Sequence, residues 1–402
     1  MRVFFSVGEP SGDVHGANLV RELKRHDASI ECLGFGGPRM AEAGCRLEAD
    51  LTELAIMGFR RVAEHIGQFW QYLQQADRIF RTHRPDVVVL IDYPGFNWWV
   101  ADRARRQGIP VVYYGAPQMW AWAPWRIRKM RRLVNRVLCM LPFEETWYRS
   151  RGCEATYVGH PFFDETHDRR LDESFLAAQA SDLPLVTLLP GSRLQEITAN
   201  LPIFLQVVRH LRDQDVRARF AIAAFNDRHA EVARELLAGT DLPVDVHVGR
   251  TPELIRMADC CLACSGSVSL ELLSEQKPTV IHYRVGRWML QLQAWVRRVK
   301  YITLVNLLAT ADITTSYPAR LYDPDAAGAE PVPFPEYLTS DDRSADMAAQ
   351  LRRWLEDPAA SHQCRQWLGE LRARYGAPGA TARAAQAIRQ LAAHQRSSAR
   401  AA

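Results

Sequence analysis

The feature that most constrains this 402-residue chain is a regular alternation of short apolar or β-branched runs with longer helical patterns. Parallel strands need a crossover connection, which is usually a helix, so this alternation favours βαβ units. The first part of the chain is therefore expected to form a doubly wound α/β sheet. Its predicted strands are Arg2–Val7, Ile30–Phe35, Val87–Ile91, Val111–Tyr114, Arg136–Met140 and Thr156–Val158.

The segment VGHPFFDETHDRR, residues 158–170, interrupts this rhythm, and a second series of strands follows it. Two Rossmann-like domains, residues 1–165 and 166–340, explain the two series most simply. Residues 341–402 are predicted to form helices that return to the first domain or to a partner subunit, with a frayed tail. The strands predicted in the second series are Leu185–Leu189, Arg219–Ala223, Val244–Val248, Cys260–Ala263 and Thr279–Tyr283.

Composition is typical of a globular cytosolic protein, because 48% of the residues are hydrophobic and 24% are charged. No run reaches the roughly 18 apolar residues of a membrane span, and the N-terminus leads directly into a strand. The eight Cys follow no metal-binding spacing and are expected to be buried free thiols. The net charge of +4 is mild, but six cations lie within residues 126–136, which indicates an anionic partner.

The first strand runs into the polar turn GEPSGDVH, at the strand end where open α/β sheets bind ligands. Glu9, Asp13 and His15 are expected to line that site. Asp92 follows the buried run VVVLI, and a carboxylate placed there can accept a proton from a hydroxyl group. Asp92 is the first candidate for a general base, with Glu9 or His15 as alternatives. Asp92 could instead cap the following helix or fix the YPGF turn, and Asp13 could also serve as a cap.

Two turns in the second domain have the pattern of a nucleotide-diphosphate site. Each follows a buried strand and opens a helix, so its backbone N–H groups favour a phosphate, and the first turn adds a guanidinium. Gly-Ser turns before helices are also ordinary N-caps, but two of them in one domain favour a nucleotide. An acidic residue farther along the second helix could accept hydrogen bonds from ribose hydroxyls. The candidate contacts are Gly191, Ser192, Arg193, Ser265, Gly266, Ser267 and Glu271.

The chain resembles lipid-A-disaccharide synthase in nine motifs that keep that family's order: GEPSGD, GGPRM, MGF, IDYPGFN, PQMWAW, LPFE, VGHP, LPGSR and NLLA. The resemblance runs from about residue 3 to residue 310. It implies the α/β glycosyltransferase B fold, in which two facing Rossmann-like domains enclose an interdomain cleft. It also implies an inverting transfer that joins UDP-2,3-diacylglucosamine to 2,3-diacylglucosamine 1-phosphate and releases UDP. Asn306, in NLLA, is thereby a further candidate contact for the UDP-sugar.

The implied reaction uses neither a metal nor another cofactor. Asp213 with Asp215, and Asp323 with Asp325, have the Asp-x-Asp spacing that holds a cation in metal-dependent glycosyltransferases. Neither pair follows a buried strand, so no metal site is predicted.

The implied substrates carry acyl chains, and residues 57–80 offer an apolar helical face that suits a lipid surface. Arg60, Arg61 and the cations of residues 126–136 would attract anionic headgroups. The chain is therefore expected at the cytoplasmic face of the inner membrane as a peripheral protein, with a homodimer left open. Packing of this face on the protein's own core is the alternative. The predicted membrane contacts are Phe59, Val62, Ile66, Phe69, Trp70 and Leu73.

Two other functions fit parts of the sequence. Trp120, Trp122 and Trp125 lie beside the basic segment and could stack nucleic-acid bases in an RNA-binding protein. GFGGPRM resembles the dinucleotide fingerprint of a Rossmann oxidoreductase, but it lacks the third glycine and the acidic residue that would bind ribose. Nucleic acid is not among the expected partners.

Overall fold

The computed structural model describes the backbone of residues 1–52, 66–167 and 169–401, and the side chains of all of these except residues 66 and 397–401. The chain forms two compact units, the first from Met1–Asp164 with Pro378–Ala402 and the second from Glu165–Ala377. Each unit is built on one parallel sheet. The predicted architecture of two Rossmann-like domains is therefore confirmed.

The sheet of the first unit has a topological switch point. Its strands are β1 (Arg2–Val7), β2 (Glu31–Gly36), β3 (Arg46–Asp50), β4 (Val87–Ile91), β5 (Val111–Tyr114), β6 (Arg136–Cys139) and β7 (Ala155–Tyr157). They are arranged in the order β3-β2-β1-β4-β5-β6-β7. The chain thus extends from β1 in one direction and then returns to β4 on its other side. Open α/β sheets bind ligands where the carboxyl ends of two such strands meet.

Helices cover this sheet, and several begin with a proline at the first helical position, where the missing N–H costs no hydrogen bond. The described α-helices up to residue 167 are α1 (Pro10–His26), α2 (Pro38–Glu42), α3 (Ile66–His83), α4 (Pro94–Arg106), α5 (Met119–Trp122), α6 (Ile127–Leu133), α7 (Pro142–Arg149) and α8 (Phe162–His167).

The central strands bury both faces, which explains their continuous apolar runs. Successive side chains of a strand point to opposite faces, and accordingly Phe4 and Val88 join one buried cluster whereas Phe5 and Val89 join the other. This packing fixes the strand ends that carry the polar turns.

The second unit repeats the design. Its strands are β8 (Leu185–Leu189), β9 (Arg219–Ala224), β10 (Val244–Val248), β11 (Cys260–Cys264), β12 (Thr279–Arg284) and β13 (Glu336–Thr339). Their order is β10-β9-β8-β11-β12-β13, so the switch point lies between β8 and β11. The helices are α9 (Glu173–Ala178), α10 (Leu194–Asp213), α11 (Asp227–Ala238), α12 (Thr251–Met257), α13 (Val268–Ser274), α14 (Arg287–Val296), α15 (Leu304–Ala309), α16 (Ser344–Glu356) and α17 (Pro358–Tyr375).

A final helix, α18 (Ala380–Ala401), belongs to the first unit. Its residues Ala384 and Ile388 share a buried cluster with Leu19 of α1. The Asp164 carboxylate caps the helix by accepting hydrogen bonds from the backbone N–H groups of Gly379 at 2.5 Å and Thr381 at 2.8 Å.

All eight Cys are buried and free, as predicted. Among the described helices, none is both long enough and apolar enough to cross a bilayer.

Candidate active site

The switch point of the first unit brings together the three candidates for a general base. Glu9 lies exposed between β1 and α1, and His15 lies half-buried on the second turn of α1. Asp92 directly follows β4, and its carboxylate is close enough to Glu9 and His15 for both side chains to influence its pKa.

The backbone at Asp92 adopts the left-handed conformation, with φ of 48°, and that of Tyr93 does so too, with φ of 45°. Such angles are uncommon for residues other than glycine and persist where the surroundings enforce them. Two donors hold the Asp92 carbonyl oxygen, namely Asn97 Nδ2 at 2.8 Å and the Tyr113 hydroxyl at 2.7 Å. Asn97 is fully buried and also accepts a hydrogen bond from Ser6 Oγ at 2.6 Å. This network fixes the direction in which the Asp92 side chain leaves the strand.

Two glycines leave room for the Asp92 carboxylate. A Cβ added at Gly12 would lie 3.4 Å from Asp92 Oδ2, and one added at Gly115 would lie 3.2 Å from Oδ1. The carboxylate therefore lies between the first turn of α1 and the end of β5.

Burial raises the pKa of Asp92 to about 6, His15 opposes the rise, and the charge of Glu9 adds to it. A carboxylate with a pKa near neutrality is suited to take a proton from a hydroxyl group, because it is still ionised at pH 7 and yet a stronger base than an exposed aspartate.

Asp13 has the capping role that the sequence left open. Its buried carboxylate accepts hydrogen bonds from the N–H groups of Gly37 at 3.0 Å, Arg39 at 3.0 Å and Met40 at 3.1 Å. It thereby satisfies the N-terminus of α2 and ties the GEPSGD motif to the GGPRM motif. This capping role explains why a carboxylate stands at position 13, and no contact of Asp13 with a ligand is needed to explain it.

His160 lies beside His15 in the candidate site, although the sequence analysis did not single it out. Its ring lies edge-on to that of His15, with 6.4 Å between the centroids. Burial, reinforced by the charge of His15, lowers the pKa of His160 to about 3, although Asp164 opposes the shift. The Phe162 N–H donates to His160 Nδ1 at 3.2 Å, so the neutral ring carries its proton on Nε2. The VGHP motif was the signal that could have identified it.

In the second unit, the turn after β8 is closed by its own helix. Glu196 Oε2 accepts hydrogen bonds from the N–H groups of Ser192 at 3.0 Å and Arg193 at 3.2 Å. The Arg193 guanidinium, largely exposed, donates to Glu196 Oε1 at 3.0 Å. Gly191, with φ of 126°, lies against Glu196, since an added Cβ would come within 2.5 Å of that residue's Cβ. The N–H groups of Ser192 and Arg193 and the Arg193 guanidinium, which were predicted to bind phosphate, are therefore hydrogen-bonded to Glu196.

The turn after β11 is open. Gly266 and Ser267 are exposed, and within the described part of the chain nothing accepts a hydrogen bond from their N–H groups. Ser265 Oγ donates to the carbonyl oxygen of Ile302 at 3.4 Å, which links this turn to the segment before α15. These N–H groups remain available to an anion.

Glu271 lies on α13 behind the open turn and is only 9% exposed. It pairs with Arg169, which the sequence reasoning did not single out. Burial raises the pKa of Glu271, and the guanidinium of Arg169 counteracts this. The Glu271 carboxylate, which was predicted to accept hydrogen bonds from ribose hydroxyls, therefore already accepts one from Arg169.

Asn306 is a framework residue here and not an exposed ligand contact. It is fully buried, and its Nδ2 donates to the Phe334 carbonyl oxygen at 2.7 Å and to Glu336 Oε2 at 2.9 Å. Its Oδ1 accepts from the Phe334 N–H at 3.1 Å. Glu336 in turn accepts the Ile302 N–H at 2.8 Å, and burial raises the pKa of Glu336 to about 7. Direct contact with a nucleotide would require this network to open, so the residue positions the segment that supports Ser265.

Comparison with known proteins identifies the family. The model for lipid-A-disaccharide synthetase matches residues 3–328. Lipid-A-disaccharide synthase of Geobacter sulfurreducens is 33% identical over 393 residues, which cover 97% of each chain. The corresponding protein of Anaeromyxobacter dehalogenans is 34% identical over 391 residues, which cover 96% of each chain. This chain belongs to the lipid-A-disaccharide synthase family. It is therefore a glycosyltransferase of lipid A biosynthesis.

Solved structures agree on the fold. UDP-GlcNAc 2-epimerase from Neisseria meningitidis, bound to UDP-GlcNAc, superposes with a TM-score of 0.63 and 12% sequence identity. The match covers 97% of this chain and 100% of the epimerase chain. CalG4, the calicheamicin glycosyltransferase, is 14% identical, covers 98% of both chains and has a TM-score of 0.59. At these identities the likeness concerns the fold alone, and it confirms the expected glycosyltransferase B class.

Two further motifs of the lipid-A-disaccharide synthase family have a structural role. Glu144 of LPFE is buried and accepts hydrogen bonds from Trp120 Nε1 and from the Leu141 N–H, both at 3.0 Å. Burial raises the pKa of Glu144 to about 7. Trp120 of PQMWAW is therefore not available to stack on a nucleic-acid base, whereas Trp122 and Trp125 are exposed.

The predicted membrane face is described only in part. Phe59 and Val62 lie outside the described residues, as does the side chain of Ile66. Leu73 is buried in the core, contrary to the expected lipid contact, because α3 packs this side on the sheet. Phe69 also turns toward that core, with its ring centroid 5.6 Å from that of Phe96. Trp70 is half-exposed, with the Arg103 guanidinium over its ring.

The Asp-x-Asp pairs have ordinary surroundings. Asp323 and Asp325 both accept hydrogen bonds from Arg343, at 3.1 Å and 2.7 Å. Asp213 and Asp215 are exposed at the end of α10.

Proposed function

We propose that this glycosyltransferase joins UDP-2,3-diacylglucosamine to 2,3-diacylglucosamine 1-phosphate and releases UDP, with inversion at the anomeric carbon. The observation that carries the proposal is Asp92, a carboxylate with a raised pKa held beside His15 and Glu9 at a sheet switch point. The family supplies the lipid-sugar class of the substrates.

The first unit supplies the base. In the proposed step, Asp92 takes the proton of an acceptor hydroxyl while that oxygen forms a bond to the anomeric carbon of the donor. The bond from that carbon to the diphosphate breaks in the same displacement, and its electron pair leaves with UDP. Glu9 and His15 orient the acceptor or its phosphate, and either could serve as the base if Asp92 does not.

The second unit supplies the charge stabilisation. Negative charge develops on the diphosphate as it leaves, and preorganised donors lower the barrier to this step. The N–H groups of Gly266 and Ser267 are the open donors, and Arg193 is the cation that a diphosphate would draw from Glu196. Glu271, if released from Arg169, accepts a ribose hydroxyl.

Substrate access involves a membrane surface in this proposal. Trp70 and the cations of residues 126–136 make the first contact with anionic lipid. Trp70→Glu should weaken sedimentation with anionic vesicles, whereas unchanged binding would remove Trp70 from the contact. Phe69 is unsuitable for this test because it packs on the core.

An assay of UDP release tests the reaction. The purified chain is given both lipid sugars and then each one alone, with Asp92→Asn as the control for contaminating activity. UDP should form only with both sugars. Release of UDP without the acceptor would instead indicate a hydrolase, and no release under any condition would reject the proposed substrates.

A further inference from the structure

Helix α14 of the second unit presents its large apolar residues to solvent. None of its ten residues is buried. Trp288 is 78% exposed and Trp295 is 59% exposed, and Met289 and Leu292 are also exposed. Residues at spacings of four and three share one helix face, so Trp288, Leu292 and Trp295 form a continuous outward stripe. An ordinary surface helix turns such a stripe inward.

A neighbouring loop extends this surface and holds the helix in place. Tyr317 and Leu321 are exposed, and the Tyr317 ring lies 5.7 Å from that of Trp295. The Ala319 N–H donates to the Ala294 carbonyl oxygen at 2.7 Å. We define the α14 face by its six exposed apolar side chains. They are Trp288, Met289, Leu292, Trp295, Tyr317 and Leu321.

Buried Arg297 also ties the helix to this loop. Its guanidinium donates to the Arg320 carbonyl oxygen at 2.7 Å. Burial lowers the pKa of Arg297, and Glu336 opposes the shift. The attachment makes the α14 face a preformed surface of the second unit.

The charge around the α14 face is positive. Residues 276–311 contain six Lys or Arg and no Asp or Glu, but Lys277 and Arg297 are buried and Lys300 pairs with Glu330. The cations at the face itself are therefore Arg284, Arg287 and Arg298. Arg284 and Arg287 are exposed at the start of the helix, and Arg298 lies over the Tyr317 ring at its end. Arg287 is 3.6 Å from Asp341, but both side chains are largely exposed, so this pair neutralises little. An apolar stripe bearing tryptophans and flanked by cations is complementary to an anionic lipid surface.

We infer that the α14 face binds the headgroup region of an anionic bilayer, so that the second unit has its own membrane contact. The inference deepens the proposed function, because it gives the unit that would bind a lipid-linked donor its own route to the bilayer. The membrane contact is measurable without turnover, and its failure is therefore distinguishable from failure of the proposed reaction.

The test uses the full chain and sedimentation with vesicles of phosphatidylcholine, with or without phosphatidylglycerol. Trp288→Ser combined with Trp295→Ser adds no charge and should weaken partitioning onto phosphatidylglycerol vesicles by about tenfold or more, because it removes two interfacial aromatic anchors. Phe225→Ser is the matched control, since Phe225 is an equally exposed aromatic residue elsewhere in the second unit, and it should leave partitioning unchanged. Equal binding by the parent and the double variant would overturn the inference.

Two further measurements test the role of the cations and the possibility that a second copy of the chain covers the α14 face. Arg284→Gln with Arg287→Gln should lower the preference for phosphatidylglycerol by roughly fivefold per charge, and this loss should shrink as salt is added. Light scattering of the Trp288→Ser variant checks the alternative occupant. A change from dimer to monomer would show that a second copy of the chain covers the face, and it would overturn the lipid assignment. Trp288 is exposed, so this single variant should remain folded if the double variant does not.

Discussion

The two switch points have the same sheet topology but treat their carboxylates in opposite ways. In the first unit, Asp92 is fixed through its backbone, and burial leaves its pKa raised. In the second unit, Glu196 and Glu271 are each paired with an arginine. A buried carboxylate whose pKa is raised can take a proton, whereas an arginine that pairs with a carboxylate can exchange that partner for a diphosphate. In the proposed reaction, the first unit therefore supplies the base and the second unit binds the diphosphate.

The two turns of the second unit differ by the place of one glutamate. Glu196 is the third residue of α10, from which its side chain reaches back to the turn. Glu271 is the fourth residue of α13, and Leu270 has the third position. The turn after β8 is consequently closed and the turn after β11 is open. Both turns follow a buried strand and both contain a Gly-Ser pair.

The largest expected effect is that of Asp92→Asn. The amide keeps the shape but cannot accept a proton at neutral pH, so turnover should fall by roughly 10² to 10⁴. UDP affinity, measured by calorimetry, should barely change, because the nucleotide is assigned to the other unit. Glu9→Gln is the matched control. A greater loss in that variant than in Asp92→Asn would move the base to Glu9.

Arg193→Ala should weaken UDP binding by roughly 10- to 100-fold, because a charge-assisted hydrogen bond contributes about 1.5 to 3 kcal/mol. Calorimetry with UDP measures the effect. Arg212→Ala, at an exposed arginine on the far end of the same helix, is the control and should bind UDP like the parent. Unchanged affinity in Arg193→Ala would leave only the open turn as the nucleotide site.

The pH profile should separate the two units. Asp92 must be ionised to act as a base, and its pKa is raised to about 6. We therefore expect kcat/KM to be level above that pH and to fall about tenfold per pH unit below it. UDP affinity in the second unit should not follow this profile. A parent enzyme with no loss of activity down to pH 5 would contradict the assignment of Asp92.

Glu196→Gln should have the smallest effect and the opposite sign. The amide oxygen can still accept the turn's N–H groups, but the negative charge that competes with a diphosphate is removed and Arg193 is released. UDP affinity should rise by roughly two- to tenfold. Glu235→Gln, on the neighbouring helix α11, controls for the change in net charge. Weaker UDP binding in Glu196→Gln would mean that Glu196 holds Arg193 in its working position.

The sequence predicted the fold best where strands are buried on both faces. Both ends of the strand Val87–Ile91 were predicted correctly, because a short continuous apolar run rich in β-branched residues is typical of a strand buried on both faces. The edge strands Arg46–Asp50 and Glu336–Thr339 were missed, because their residues are mostly polar and their pairing depends on a neighbouring strand.

The sequence could predict the location of a site residue only where that residue lies next to a recognisable strand or helix. The place of Asp92 beside Glu9 and His15 was predicted because Asp92 ends a buried strand, whereas its role as base stays a prediction. The framework role of Asn306 was not found, because its partners Phe334 and Glu336 lie 28 and 30 residues away. Likewise, the spacing of Gly and Ser in the LPGSR motif does not indicate whether a carboxylate already occupies the turn.

The return of α18 to the first unit has a consequence for biosynthesis. The core of that unit lacks Ala384 and Ile388 until the last helix leaves the ribosome, whereas every residue of the second unit precedes it. Domains usually fold in N-terminal order during synthesis. Here the inserted unit can finish first while the N-terminal sheet waits for its covering helix. We therefore expect the apolar surface around Leu19 to stay uncovered in the nascent chain until Ala384 and Ile388 have been synthesised.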